Sequence, residues 1–411
     1  MGKLAIRGGA PLRTEPYPSW PVFDETEIQA VTEVLRSGKW WYGEKVREFE
    51  AAYAAFQDAQ YGVTCTNGTA ALEIAYLACG LGAGDEVIVP AYTFIATASS
   101  LLRVNAIPIF ADLELDTGNL DPADVEAKIT DRTKAIVPVH FGGYIADMDA
   151  FRALAKKHNL HLIEDACHSW GGKWQGKGTG ALGDCGVFSF QMSKNITSGE
   201  GGILVSDNEE IAELARSYSN VGRATNDQFY RHFLPGGNLR MTEMQAALLL
   251  VQLSRLEEQT LRREANAEYL NRALAGIPGI ALQRPEPRIT RRAYHMYIFR
   301  FLPEQWPGVS RERFLEAVCA EGGTAWAGYP IPLYQNPVFQ RQGTGPENCP
   351  LSCPFYGKEM DYTQVHLPRT EQLCAEACWV PHATLLAEEA DMQDLADIIA
   401  KVWENQVELA S

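Results

Sequence analysis

The sequence lacks what a membrane protein or a metalloprotein needs. No apolar run approaches the ~20 residues of a bilayer crossing. The opening Met1-Gly2-Lys3-Leu4-Ala5-Ile6-Arg7 has no apolar core of signal-peptide length, and Ile6 stands where a myristoylation signal needs Ser or Thr. A cytoplasmic protein is expected. Nine cysteines include no Cys-x-x-Cys pair, and Cys349 and Cys353 have no histidines at zinc spacing. No metal site is expected, and the thiols read as buried or free. Positive charge is also scarce: 36 Lys and Arg stand against 52 Asp and Glu, a formal net charge of −16. That excludes the basic face demanded by a nucleic-acid backbone or an anionic membrane, so anionic small molecules must be met by a local site. Internal repeats and low-complexity tracts are missing too.

What is present describes a globular protein, 46% hydrophobic and 21% charged over 411 residues. That length exceeds one compact core and predicts two lobes. Strand-like apolar runs fall at 61–66, 86–90, 107–111, 135–139, 160–163, 187–190 and 203–206, with helical patterns between many of them. One such pattern opens at Asp24, carries Ile28, Val31, Val34 and Leu35, and stops at Ser37-Gly38. The alternation predicts an α/β fold with a mostly parallel sheet covered on both faces. Ligands of such sheets collect outside the carboxyl ends of the strands.

Three features fall at such ends. In Gly186-Val-Phe-Ser-Phe-Gln-Met-Ser-Lys-Asn-Ile-Thr-Ser-Gly-Glu-Gly-Gly202, an apolar run leads to Lys194. A lysine can form a Schiff base with an aldehyde where burial keeps part of the amine neutral. Most lysines are solvated surface charges, so Lys194 gains weight from its company. Asp165, ending Leu162-Ile163-Glu164-Asp165, offers a carboxylate of the kind that pairs with a protonated pyridine nitrogen. Thr66-Asn67-Gly68-Thr69-Ala70-Ala71-Leu72 is a small-residue turn opening a helix, and free N–H groups at a helix start bind phosphate. Further on, Thr242 and Gln245 form a capping box at the head of a long amphipathic helix.

With these residues in place, the chain resembles the DegT/StrS-type sugar aminotransferases, fold-type-I pyridoxal phosphate enzymes. The likeness runs from Leu4-Ala5-Ile6-Arg7-Gly8-Gly9 past Tyr329-Pro330-Ile331-Pro332 and is densest between Asn67 and Gln245. It implies a large cofactor-binding domain over 1–255, with an N-terminal arm, and a smaller α+β C-terminal domain over 256–411. It makes Lys194 and Asp165 catalytic. It gives the phosphate to Gly68, Thr69 and Ser189, the cofactor ring to Phe94, and the ring's phenolic oxygen to His168. The residue matching Asn238 reaches the neighbouring subunit's phosphate, which implies a homodimer with shared active sites. The donor implied is glutamate or glutamine, and the acceptor a keto or aldehyde group of a sugar or cyclitol.

Two departures stand out. Gln191 replaces the commoner histidine and resembles the subgroup acting on cyclitol ketones, and Tyr334 stands where the family often has histidine. Three rivals remain: a dehydratase branch, in which a histidine replaces the lysine, an aminohydroxybenzoate-type synthase, and a non-catalytic regulator retaining the fold. The aromatics Trp40-Trp41-Tyr42 fit either a substrate mouth or an interface plug, and 341–369 reads as a loop without assigned function.

Overall fold

The structure is a computed structural model that describes residues 2–224, 230–341, 345, 348–352 and 354–410. Cys353 therefore lies outside the described residues, as does part of the loop expected at 341–369.

Seven strands build the main sheet: β1 (Tyr61–Cys65), β2 (Glu86–Pro90), β3 (Ile107–Ala111), β4 (Thr133–Ile136), β5 (His161–Asp165), β8 (Cys185–Ser189) and β9 (Gly202–Ser206). Between β5 and β8 lies the short hairpin of β6 (Lys173–Trp174) and β7 (Lys177–Gly178). The main order is β1-β9-β8-β5-β4-β2-β3; β9 alone runs antiparallel to its neighbours, and the other pairings are parallel. Successive side chains of a strand leave on opposite faces. Accordingly Val87 and Val89 join the cluster around Leu72 and Leu101, while Ile88 joins Phe151 and Leu154 on the other face. The run expected at 135–139 ends early as β4, because Pro138 has no N–H to give a ladder.

A second sheet is antiparallel throughout, in the order β10 (Ile280–Leu282), β12 (Met296–Phe301), β14 (Ala377–Pro381), β13 (Trp326–Ala327). β11 (Ile289–Arg291) pairs with β6 instead. Between the sheets runs one helix, Glu243–Leu274, opened by the expected capping box of Thr242 and Gln245. We propose that the lobes divide within this helix, near 255/256, with two exchanges across the divide. Leu4 packs with Leu270 and Phe314 under the small sheet, and Tyr334, Phe339 and Tyr362 pack under the large one.

The helix expected from Asp24 is Glu25–Ser37, capped by the Asp24 side chain and ended by Gly38 at φ 67°. Val34 of its apolar stripe is buried, whereas Ile28 and Leu35 face outward. Trp40 and Trp41 are exposed beyond them.

Candidate active site

The carboxyl ends of the parallel strands open onto one cavity of about 1030 Å³. Register places its walls. Asp165, last in β5, pairs with Val187, and Ser189, last in β8, pairs with Gly202 at the start of β9. Gly202 in turn pairs with Cys65 at the end of β1, three residues before the helix Gly68–Ala78. Three chain segments far apart in sequence thus end at one edge. The cavity is lined by Gly68, Thr69, Phe94, Asp165, His168, Ser189 and Lys194, seven of the eight residues singled out from sequence. Asn238 is not among the lining residues; it is exposed, bridging to Asn220 beside Leu239, which does line the cavity.

Asp165 is buried, and the carboxylate accepts from Thr97 Oγ1 at 2.7 Å and from the Cys167 N–H at 3.2 Å. Among the described residues no lysine, arginine or histidine nitrogen lies within 4.0 Å of it, so the buried carboxylate makes no close ion pair. Its neighbour Glu164, on the opposite face of the strand, accepts from the N–H groups of Gly180, Leu182 and Gly183 and meets His140 Nε2 at 2.9 Å. That bracing holds the strand end from behind.

Lys194 stands in a tight turn in which its own N–H donates to the Gln191 carbonyl at 2.9 Å. Burial lowers its amine below the ordinary 10.5, with Cys167 and Asp165 opposing. Its Nζ is 5.8 Å from the Trp170 ring centre.

The helix Gly68–Ala78 begins against β8. The Asn67 side chain caps Ala70 N–H, leaving the first two N–H groups of the helix to a ligand. A methyl group built on Gly68 would stand 2.7 Å from Ser189 Cβ and 3.4 Å from Cys167 Sγ. Only glycine lets the helix end and Ser189 come this close. Phe94, on the loop after β2, is 54% exposed although large and apolar, and it lines the cavity mouth.

Three histidines follow one another along the cavity wall. His168 and His295 have ring centres 4.4 Å apart, and His295 and His382 stack at 5.6 Å. Burial holds all three well below 6.5, so each is neutral and carries one N–H. Neighbours choose the tautomer. Gly142 N–H donates to His168 Nδ1 at 3.4 Å, leaving Nε2 as its donor. The Asn195 amide donates to the Ala293 carbonyl, so Asn195 Oδ1 must accept from His295 Nδ1, at 3.1 Å.

Sequence reasoning missed Thr97, His295, His382 and Trp20 as site residues, all but Thr97 lining the cavity. His382 follows the apolar run of β14 and His295 precedes that of β12, but both strands belong to the antiparallel sheet, where the rule that ligands collect at carboxyl ends gives no signal. Trp20 and Thr97 carry none either.

A buried amine, a buried carboxylate without a close ion pair and a bare helix start on one cavity of an α/β sheet define a site for carbonyl chemistry on amines. The chain belongs to the DegT/DnrJ/EryC1/StrS aminotransferase family, whose model matches residues 21–356. The expected family, fold and enzyme class are thereby borne out. The chain is 41% identical over 415 residues, 98% of each chain, to a Streptoalloteichus tenebrarius protein named provisionally as an L-glutamine:3-amino-2,3-dideoxy-scyllo-inosose aminotransferase. It is 37% identical over 427 residues, 99% of each chain, to an L-glutamine:2-deoxy-scyllo-inosose aminotransferase of the same organism. Among solved structures, 3-amino-5-hydroxybenzoic acid synthase matches with a TM-score of 0.85 at 35% identity, covering 96% of this chain and all of that one.

Proposed function

We propose that this aminotransferase uses pyridoxal phosphate to move an amino group from glutamine to the ring ketone of a free deoxycyclitol, in the making of an aminocyclitol. The observation that carries the reading is the placing of Lys194, Asp165 and the Gly68–Ser189 cradle on one cavity. The residues fit the cofactor at each end: the unpaired Asp165 charge suits its ring nitrogen, and the bare N–H groups of Gly68 and Thr69 with Ser189 suit its phosphate. Bound there, the cofactor supplies an aldehyde for the amine and an electron sink for the carbanion.

Asp165, held by Thr97 and Cys167, keeps a proton on the ring nitrogen. Lys194, lowered by burial, would be the base that takes the proton from the donor's α-carbon and returns it two atoms along, at the far end of a 1,3-shift. With the cofactor bound, His168, whose Nε2 carries the proton, would be the donor to the ring's phenolic oxygen, and Phe94 would pack against the ring. The glutamine and the free cyclitol are supported by the names of relatives matching almost end to end, and by Gln191 in the cavity wall.

We further propose a cytoplasmic homodimer in which Asn238 completes the partner's phosphate site. Supporting it, Ile28, Leu35, Trp40 and Trp41 leave exposed apolar surface on this chain, and Arg240 lies over the Trp41 ring at 5.2 Å. Among the described residues no helix is long and apolar enough to cross a membrane.

The test is spectroscopic. Glutamine added to the purified yellow protein should bleach the visible band, and 2-deoxy-scyllo-inosose should restore it. Restoration only by nucleotide-linked ketosugars would overturn the acceptor, and a Lys194→Ala protein still trapping cofactor under borohydride would overturn the lysine. A second reading, an aminohydroxybenzoate synthase, draws on the likeness to that enzyme's structure. It requires release of an aromatic product, visible in the ultraviolet.

A further inference from the structure

The turn carrying Lys194 is held by parts of the chain that sequence reasoning does not connect with it. The three carbonyls before the lysine each accept one hydrogen bond. Gln191 O takes the Lys194 N–H at 2.9 Å, Met192 O takes Trp20 Nε1–H at 2.9 Å, and Ser193 O takes His382 Nε2–H at 3.1 Å. The Ser193 bond depends on the tautomer of His382. Were the proton on Nδ1, the Nε2 lone pair would face the carbonyl oxygen and the contact would turn repulsive.

Arg263 enforces that tautomer from the other side of the ring. Its Nη2 lies 3.3 Å from His382 Nδ1, and a guanidinium has donors but no acceptor. Nδ1 must therefore accept, and the single proton of the neutral ring goes to Nε2. Arg263 is fully buried on the long helix Glu243–Leu274, 5.7 Å from the Trp20 ring. Its Nη2 also reaches Gln259 Oε1 at 3.4 Å, while Nε and Nη1 have no partner. No carboxylate lies within 4.0 Å of it among the described residues. A buried arginine left this poorly satisfied costs stability, and filling space would be done better by an apolar residue of the same size. Its environment is built: Asn266, one turn on, donates to the carbonyls of Leu385 and Ala387 at 2.9 Å, fixing the segment that carries His382.

We propose that Arg263 is a positioning residue for Lys194: by fixing the His382 tautomer it secures the Ser193 carbonyl, and with it the turn that aims the amine. This rests on reading Lys194 as the group that serves the cofactor. The long helix, the N-terminal arm and the segment after β14 thereby converge on one tripeptide, so the geometry of the amine depends on the docking of the small lobe.

The test compares Arg263→Met, which has no donor, with Arg263→Gln, which keeps an amide N–H. Full-length protein carrying ¹⁵N-histidine, with and without pyridoxal phosphate, reports by NMR which nitrogen of His382 is protonated. The His382→Gln spectrum assigns the signal. Wild type and Arg263→Gln should be protonated at Nε2, whereas Arg263→Met, with only the Ser193 carbonyl left to select the tautomer, should show a measurable share of the Nδ1 form. The first half-reaction should slow on the order of ten- to a hundredfold in Arg263→Met, the loss expected for a misaimed reacting group, with the KM for the amino donor unchanged. Arg263→Gln should recover most of that rate.

Nδ1 protonation in wild type would overturn the proposal, and so would an Arg263→Met protein that folds and reacts as wild type does. Should Arg263→Met fail to fold, His382→Gln, which keeps one acceptor and one donor, should outpace His382→Leu, and equal rates would refute the idea. The tautomer is read without cofactor, so a protein that never takes up pyridoxal phosphate would sink the reading of Lys194 and leave the NMR result standing.

Discussion

Acid should unfold this protein through its histidine stack. His168, His295 and His382 are buried, and each is driven below 6.5, first by burial and then by cationic neighbours: Lys194 acts on all three, and Arg263 on His295 and His382. The unfolded chain takes up protons near 6.5 that the folded chain refuses, so stability falls as pH drops through that value. At about pH 5.5 each histidine favours the unfolded state by roughly 1–2 kcal/mol, and at about pH 7.5 by almost nothing. The three together remove roughly 4 kcal/mol over that interval, a large part of the 5–15 kcal/mol typical of a folded protein. Carboxylates and the other histidines also titrate, so the measurement that isolates the stack is a difference. His295→Gln should lose roughly 1–2 kcal/mol less than wild type between the two pH values, read by urea unfolding of cofactor-free protein at equal m-values. An identical loss in both proteins would mean that His295 is charged when folded, and the tautomer assignments around it would fall.

Other expectations follow from the same geometry. Asp165→Asn should keep some cofactor but slow amino transfer by on the order of a hundredfold, the scale of losing one buried electrostatic partner; a wild-type rate in stopped-flow absorbance would refute its role. Gly68→Ala pushes a methyl group to 2.7 Å from Ser189 Cβ, and overpacking of ~1–3 kcal/mol should weaken cofactor binding about tenfold or more. Unchanged affinity by fluorescence titration would place the phosphate elsewhere. In cofactor-free protein, aldehyde trapping at Lys194 should plateau below the pH of an ordinary lysine, because burial favours the neutral amine, and a midpoint at 10.5 or above would contradict that. Mixed dimers of Lys194→Ala with Asn238→Ala should regain activity that neither variant has alone; no recovery after mixing would exclude a shared phosphate site.

Much of this was readable from residue order because strands and their ends leave local marks. Apolar runs of strand length, leading to Asp165 and to Ser189 with Lys194, located two walls of the cavity, and Asn67-Gly68-Thr69 located a third. Other features depend on contacts between distant residues. Arg263, His382, Trp20 and Ser193 span most of the chain, and no spacing rule relates them. Thr97 holds Asp165 across 68 positions. Periodicity also predicted the helix carrying Ile28 and Leu35 without revealing that this side would remain uncovered on one chain.

The 32-residue rod Glu243–Leu274, about 48 Å long, has its head beside the large sheet and its tail under the small one. With Leu4 seated in the far lobe and Tyr334 and Tyr362 returned to the near one, neither half owns all the side chains of its own interior. No single cut would release a self-sufficient fragment, so grafting a new acceptor pocket onto this scaffold calls for exchange of surface loops and not of whole halves.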